Sequence, residues 1–175
     1  MVFQKSRFLK SYDECLPTDL SSLFQLVRTL TRDILGRTRP GILLGLAELG
    51  FDRGSFVGGF HYATTNEIFL NKSALRVMKE ESQPTLFKAY VFFLLLHEYI
   101  HAVGIYNERL TRELTNKVIS VAFPPNHPVS LLTLKGLDYF FPYSFRKRTL
   151  KPSREDLAEL EFVRLVHPDS EFTYQ

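Results

Sequence analysis

The sequence predicts an α+β domain, in which a small twisted sheet with a hairpin packs on one long apolar helix and is backed by further helices. Three stretches carry this reading. Leu20, Leu23, Phe24, Val27, Leu30 and Ile34 recur at helical spacing and form one apolar stripe. Residues 55 to 71, SFVGGFHYATTNEIFLN, place the strand-type residues Phe56, Val57, Phe60 and Tyr62 before a Thr64-Thr65-Asn66 turn, with Ile68 and Leu70 after it. Residues 86 to 105 form an almost unbroken apolar run.

Taken in order, residues 1 to 16 have mixed character and read as irregular or partly strand. Pro17-Thr18-Asp19 reads as the start of the first helix and Gly36 as its stop. After Pro40, GILLGLAELGF is apolar with several glycines and has no clean period, which reads as a short helix or a tight connection. The hairpin follows, and Gly58-Gly59 within it marks a bulge or a close approach of another backbone. Lys72 to Glu81 read as a short helix. Ser82-Gln83-Pro84 ends it and opens the next, with Pro84 near the first helical position. That helix is expected to run to about Val103 and stop at Gly104.

Another helix starts at Asn107, with Leu110, Leu114, Val118 and Ile119 or Val121 as its apolar face, and Pro124 to Pro128 close it. Residues 125–152 are expected to be irregular. Residues 153–166 are expected to form a C-terminal helix. Ser153 would be its N-cap, with Asp156 where a capping box usually has Glu, and Leu157, Leu160, Val163 and Leu165 or Val166 would face inward. Residues 1–175 are read as a single domain, a length that can bury a substantial core.

Composition narrows the function classes. Hydrophobic residues make up 45% and charged residues 23%, ordinary values for a globular chain. The net charge is +3, and the longest basic run is Arg146-Lys147-Arg148, so nucleic-acid contact is permitted but not argued for. Cys15 is alone, which excludes an internal disulfide and a cysteine-based zinc cluster, and points to a reducing, cytoplasmic setting. The first 17 residues lack an apolar core of signal-peptide length. Residues 86 to 105 are long enough for a bilayer, but Lys88, His97, Glu98 and His101 lie within them, so a buried core helix is expected and no membrane span.

The chemistry concentrates in residues 97 to 108, HEYIHAVGIYNE. On a helix, His97 and His101 lie one turn apart on one face and can address one metal ion without backbone distortion. Glu98 projects about 100° round the helix from His97, where it can reach water at the metal without being a ligand. Two neutral imidazoles and one carboxylate leave a zinc ion an open fourth position. Zinc acidifies water, and Glu98 would take the proton as that water attacks a carbonyl. The third ligand is Glu108 or Glu113. Glu108 is favoured, because a helix folding back after Gly104 would bring its first turn toward the histidines, and the helix dipole favours a carboxylate there.

This pattern resembles the zincin-like metallopeptidases. His97, Glu98, His101 and Gly104 match the metzincin pattern, but Asn107 stands where that class has its third histidine, and Met1 and Met78 both precede the motif, so neither can supply the methionine turn. A glutamate after the motif helix resembles the minimal gluzincin type, and more loosely the SprT-like and ImmA/IrrE-like proteins, over residues 55–120. The resemblance implies zinc as cofactor, a peptide or protein substrate, and a strand before the motif helix that lies antiparallel to substrate, which would be residues 66 to 71. It also implies an oxyanion donor near the metal, for which His127, Tyr106, Tyr139 and Tyr143 are candidates. His61 is expected to face solvent, and His167 is assigned no role.

Two other functions compete. One is a non-proteolytic zinc-binding protein that contacts a partner or nucleic acid through Phe145-Arg146-Lys147-Arg148. The other is a latent peptidase whose residues 137 to 148, LDYFFPYSFRKR, plug the cleft.

Overall fold

A computed structural model describes residues 4–140 and 147–165. The fold is α+β: a four-stranded mixed sheet lies against a set of helices, with a two-stranded ribbon beside it. The elements in chain order are α1 (Lys5–Glu14), α2 (Leu20–Leu35), β1 (Leu43–Ala47), β2 (Phe51–Asp52), β3 (Gly59–His61), β4 (Glu67–Asn71), α3 (Lys72–Glu81), α4 (Pro84–Ala102), α5 (Glu108–Ala122), α6 (Pro128–Lys135), α7 (Leu137–Phe140), β5 (Thr149–Leu150) and β6 (Leu160–Val163).

The centre is α4. It is apolar on nearly every side, the signature of a helix enclosed by other elements. α2, α5 and α6 pack on it, as do β3 and β4. Lys88 is buried within it, with its ammonium donating to the Asp13 carbonyl at 3.2 Å and lying 4.4 Å from the centre of the Tyr12 ring. Among the described residues, no helix is long and apolar enough to cross a membrane.

Several elements differ from the sequence reading, each for a physical reason. Residues 5–14 form a helix and are not irregular, because Phe8 and Tyr12, one turn apart, bury their rings edge-on against Phe123 at 5.3 and 5.0 Å. The stretch expected to be a short helix or connection contains β1, an inner strand. Its glycines hid the strand pattern, and Gly45 is needed because a Cβ there would lie 2.5 Å from the Phe69 ring on the neighbouring strand.

β1 runs parallel to β4 and antiparallel to β6, giving the order β3-β4-β1-β6. The expected hairpin is present as β3 paired with β4, Phe60 opposite Phe69. However, β4 is interior, so the strand edge belongs to residues 59–61 and not to residues 66 to 71.

The expected C-terminal helix over 153–166 is replaced by a 3₁₀ turn (Asp156–Ala158) and strand β6. The capping box does form: the Asp156 amide donates to Ser153 Oγ at 3.1 Å, and the Ser153 amide to Asp156 Oδ2 at 2.7 Å. The open edge of β1 then takes the chain as a strand, with Val163 opposite Leu44, while Leu157 and Leu160 are exposed where inward packing was expected. Val166 lies outside the described residues.

Residues 128–135, expected to be irregular, are helical, opened by Pro128 at the first position and capped by the His127 side chain, which accepts from the Val129 amide at 3.2 Å. On α5 the buried face is Thr111, Thr115, Val118, Ile119 and Ala122, whereas Leu110 and Val121 are exposed. The threonines occupy inward positions because their hydroxyls bond carbonyls: Thr115 donates to the Thr111 oxygen at 2.8 Å.

α2 is closed at both ends as expected, by Asp19, which accepts from the Ser22 amide at 3.0 Å, and by Gly36 in the left-handed region at φ 65°. That Ser22 bond is the main reason the Asp19 carboxyl sits below the usual range. A carboxyl depressed in the folded state adds stability above its unfolded pKa and loses it as pH falls through the folded one. Asp19→Ala should therefore cost about 1 kcal/mol at pH 7, and the difference from the unmutated chain should shrink when denaturant unfolding is repeated below pH 3.

Candidate metal centre

The motif helix ends in a Schellman turn. The Gly104 amide donates to the His101 carbonyl at 2.9 Å and the Ile105 amide to the Ile100 carbonyl at 3.3 Å. Gly104 holds φ at 96°, a conformation that strains any side chain bearing a Cβ. Asn107 then caps α5 by accepting from the Leu110 amide at 2.9 Å. The reversal takes few residues, and it carries Glu108, the first residue of α5, back over the two histidines.

One oxygen of Glu108 lies 3.5 Å from His97 Nε2 and the other 3.2 Å from His101 Nε2. The three ligand atoms all lie within 4.8 Å of one another. Ligands at zinc distances on tetrahedral corners are separated by about 3.3 Å, so both histidine–carboxylate spacings suit one ion. Glu113 is not part of this group; it pairs with Arg109 at 3.0 Å on the solvent side. The structure thus brings Glu108, rather than Glu113, to the histidines.

The tautomer of His101 follows from its surroundings. Its Nδ1–H donates to the Ile105 carbonyl at 2.7 Å, because a carbonyl can only accept. The same carbonyl accepts from the buried Thr111 hydroxyl at 3.0 Å. In neutral His101, Nε2 therefore carries a lone pair aimed at a carboxylate oxygen. Two acceptors face each other, an arrangement that a cation between them stabilises. His97 Nδ1 is buried without a hydrogen-bond partner among the described residues, and its ring lies beside Phe93. Burial is the main cause that lowers the His97 pKa and keeps the imidazole neutral, the state a metal requires.

Glu98 stands outside the group of three but lines the same cleft as His97 and Glu108; it packs against Gly59 at the start of β3 and is 6% exposed. Burial pushes its carboxyl up to about 7, and the charge of Glu108 adds to the rise. Gly59 makes this placement possible: a Cβ there would lie 3.2 Å from Glu98 Cγ and 2.8 Å from the Phe69 carbonyl oxygen. Of the Gly58-Gly59 pair, Gly59 marks the close approach of another backbone, that of Phe69, whereas Gly58 lies against the Leu94 and Tyr90 side chains.

Of the proposed oxyanion donors, the three among the described residues have other partners or face solvent. His127 caps α6 and stacks on Phe123 at 4.4 Å, Tyr106 reaches the Ala63 carbonyl at 3.5 Å, and Tyr139 is exposed beneath Lys135. Tyr143 and His167 lie outside the described residues, as do Phe145 and Arg146 and the middle of the candidate plug over 137–148. Arg148 binds Glu80 and Glu81 at 2.7 and 2.9 Å and so serves the fold.

His61 is half-buried, where exposure to solvent was expected. Its Nδ1–H donates to the Glu67 carbonyl at 2.9 Å, and its Nε2 faces the Arg39 guanidinium at 3.4 Å. Arg39 also donates to the carbonyls of Ala102 at 2.8 Å and Thr65 at 2.9 Å, which ties the hairpin turn to the end of the motif helix. Neither Arg39 nor Thr111 was singled out from sequence. An inward threonine beside an otherwise polar helix start was the available signal for Thr111; Arg39 gave none.

Gly59→Ala should push β3 against both a backbone oxygen and Glu98, lowering stability by about 1–3 kcal/mol in denaturant unfolding; an unchanged midpoint would contradict the close packing. The chain matches no family model, no curated protein and no solved structure.

Proposed function

We propose that the chain is a zinc-dependent peptidase of zincin-like build, acting on a peptide or protein substrate. The observation that carries this reading is the juxtaposition of a buried carboxylate, Glu98, with three convergent ligand groups on adjoining turns of chain. A site that only held a metal would have no use for a carboxyl poised near neutrality and kept out of the ligand set.

His97 Nε2, His101 Nε2 and a Glu108 oxygen would hold the zinc ion. Zinc, when bound, supplies Lewis acidity toward a carbonyl oxygen and brings the acidity of water close to neutral pH. Glu98 does the proton work. As a carboxylate it accepts a proton from the attacking water, and in its protonated form it passes that proton to the departing amine nitrogen. A pKa pushed up to about 7 makes both forms accessible near neutral pH. The Ile105 carbonyl and Thr111 hold the His101 ring so that Nε2 keeps its lone pair toward the ion. β3 offers a strand edge beside Glu98, suited to backbone pairing with an extended peptide. The glutamate on the helix after the motif resembles the gluzincin arrangement, with an unusually short connection.

Metal analysis should find about one zinc per chain, with sharp loss in His101→Ala and in Glu108→Ala; full retention in Glu108→Ala would remove the third ligand from the scheme. Glu98→Ala should keep its zinc and lose peptide hydrolysis, and wild-type activity in that variant would refute the mechanism. Thr111→Val should weaken zinc binding by roughly tenfold, read by competition with a chromogenic chelator.

A further inference from the structure

Beside the metal centre lies a cleft of about 620 Å³. Its charged residues, Glu98, Glu108 and Arg112 with His97, gather at one end, where Arg112 donates to Glu108 at 2.8 Å. Asn116 and Thr133 also line the cleft, and the apolar part of the wall is formed by Phe56, Phe93, Leu94, Leu132 and Leu137. Tyr90 also lines this cleft. It is 2% exposed, and its hydroxyl is buried with no hydrogen-bond partner among the described residues. A buried phenol without a partner is uncommon and costly, so it calls for an explanation.

The backbone of Gly58-Gly59 links the two ends. The Cβ position of Gly59 is 3.2 Å from Glu98 Cγ, and that of Gly58 is 3.2 Å from the Tyr90 oxygen and 3.0 Å from Leu94 Cδ1. Tyr90 precedes Glu98 by two turns of α4, or ~12 Å along the helix axis. Gly58 puts no side chain against that oxygen, and the end of the Leu94 side chain lies beside it, so a ligand that reaches the hydroxyl must displace Leu94.

We propose that this end of the cleft is a side-chain subsite for tyrosine in a peptide substrate, whose phenol hydrogen-bonds the Tyr90 hydroxyl. The identification of the ligand as a peptide rests on the peptidase reading. The apolar walls match an aromatic ring, and a charged side-chain tip would lose its hydration there without a counter-charge. The hydroxyl both donates and accepts, so a neutral phenol satisfies it in either sense. Phenylalanine would fill the same space and leave the buried oxygen unpaired, which is how a site of this kind discriminates.

The test uses p-cresol and toluene as probes of the full chain, with and without zinc, their affinities read by ligand-observed NMR titration. The ratio of p-cresol to toluene affinity should fall roughly three- to tenfold in Tyr90→Phe, and it should fall likewise in Gly58→Ala, whose methyl group crowds the oxygen. Tyr90→Phe should unfold at the same or a higher denaturant midpoint, since it removes an unpaired group. An unchanged ratio in Tyr90→Phe, or a lowered midpoint showing that the hydroxyl already has a partner in the empty cleft, would overturn the subsite. In a second arm, peptides differing only in Tyr or Phe beside the scissile bond should be cleaved with a higher kcat/KM for Tyr, and Tyr90→Phe should abolish that preference. Cleavage without any such preference overturns the subsite alone. A ratio that depends on Tyr90 while no peptide is cleaved upholds the cleft and overturns the peptidase reading.

Discussion

A nineteen-residue helix that is apolar on nearly every side must be enclosed on nearly every side, and this one requirement shapes the molecule. α2, α5 and α6 and the sheet strands each supply a wall of that enclosure. Even α1 is recruited, its Phe8 and Tyr12 closing over Phe92 and Phe123. The polar residues near the end of α4 therefore cannot escape to water by fraying. They are held at the boundary of the core, where desolvation neutralises His97 and raises the Glu98 carboxyl.

The same boundary is where the chain reverses. The Schellman turn at Gly104 serves two ends at once. It satisfies the last carbonyls of α4, and it presents the Ile105 carbonyl to His101 Nδ1 and to Thr111. Backbone termination and orientation of a candidate ligand thus share one atom. Asn107 adds the cap that starts α5 in the direction that brings Glu108 over the histidines. The residue that departs from the metzincin pattern is thereby the residue that makes the glutamate arrangement possible.

What was legible in the chain depended on whether local signals agreed with their surroundings. The helices that became α2, α3 and α4 carried caps, stops and spacing that tertiary packing did not oppose, and their limits were read to within about two residues. The hairpin was legible from its turn chemistry. Residues 153–166 failed despite a capping box that does form, because the free edge of β1 offered backbone partners that a surface helix could not match. The α5 face was displaced by counting only apolar residues, when Thr111 and Thr115 bury their hydroxyls by bonding carbonyls.

The chain by itself determined the candidate ligand types, their helical spacing and the stop at Gly104, because these depend on short-range geometry along one helix. It narrowed the candidate third ligand to two glutamates. Only the tertiary structure decided between them, placed Gly59 against Glu98, made residues 59–61 the strand edge, and set Tyr90 at the wall of the cleft. Each of those facts is a distance between residues far apart in sequence or on different elements. Such distances come from how the elements enclose α4, and no local pattern encodes them.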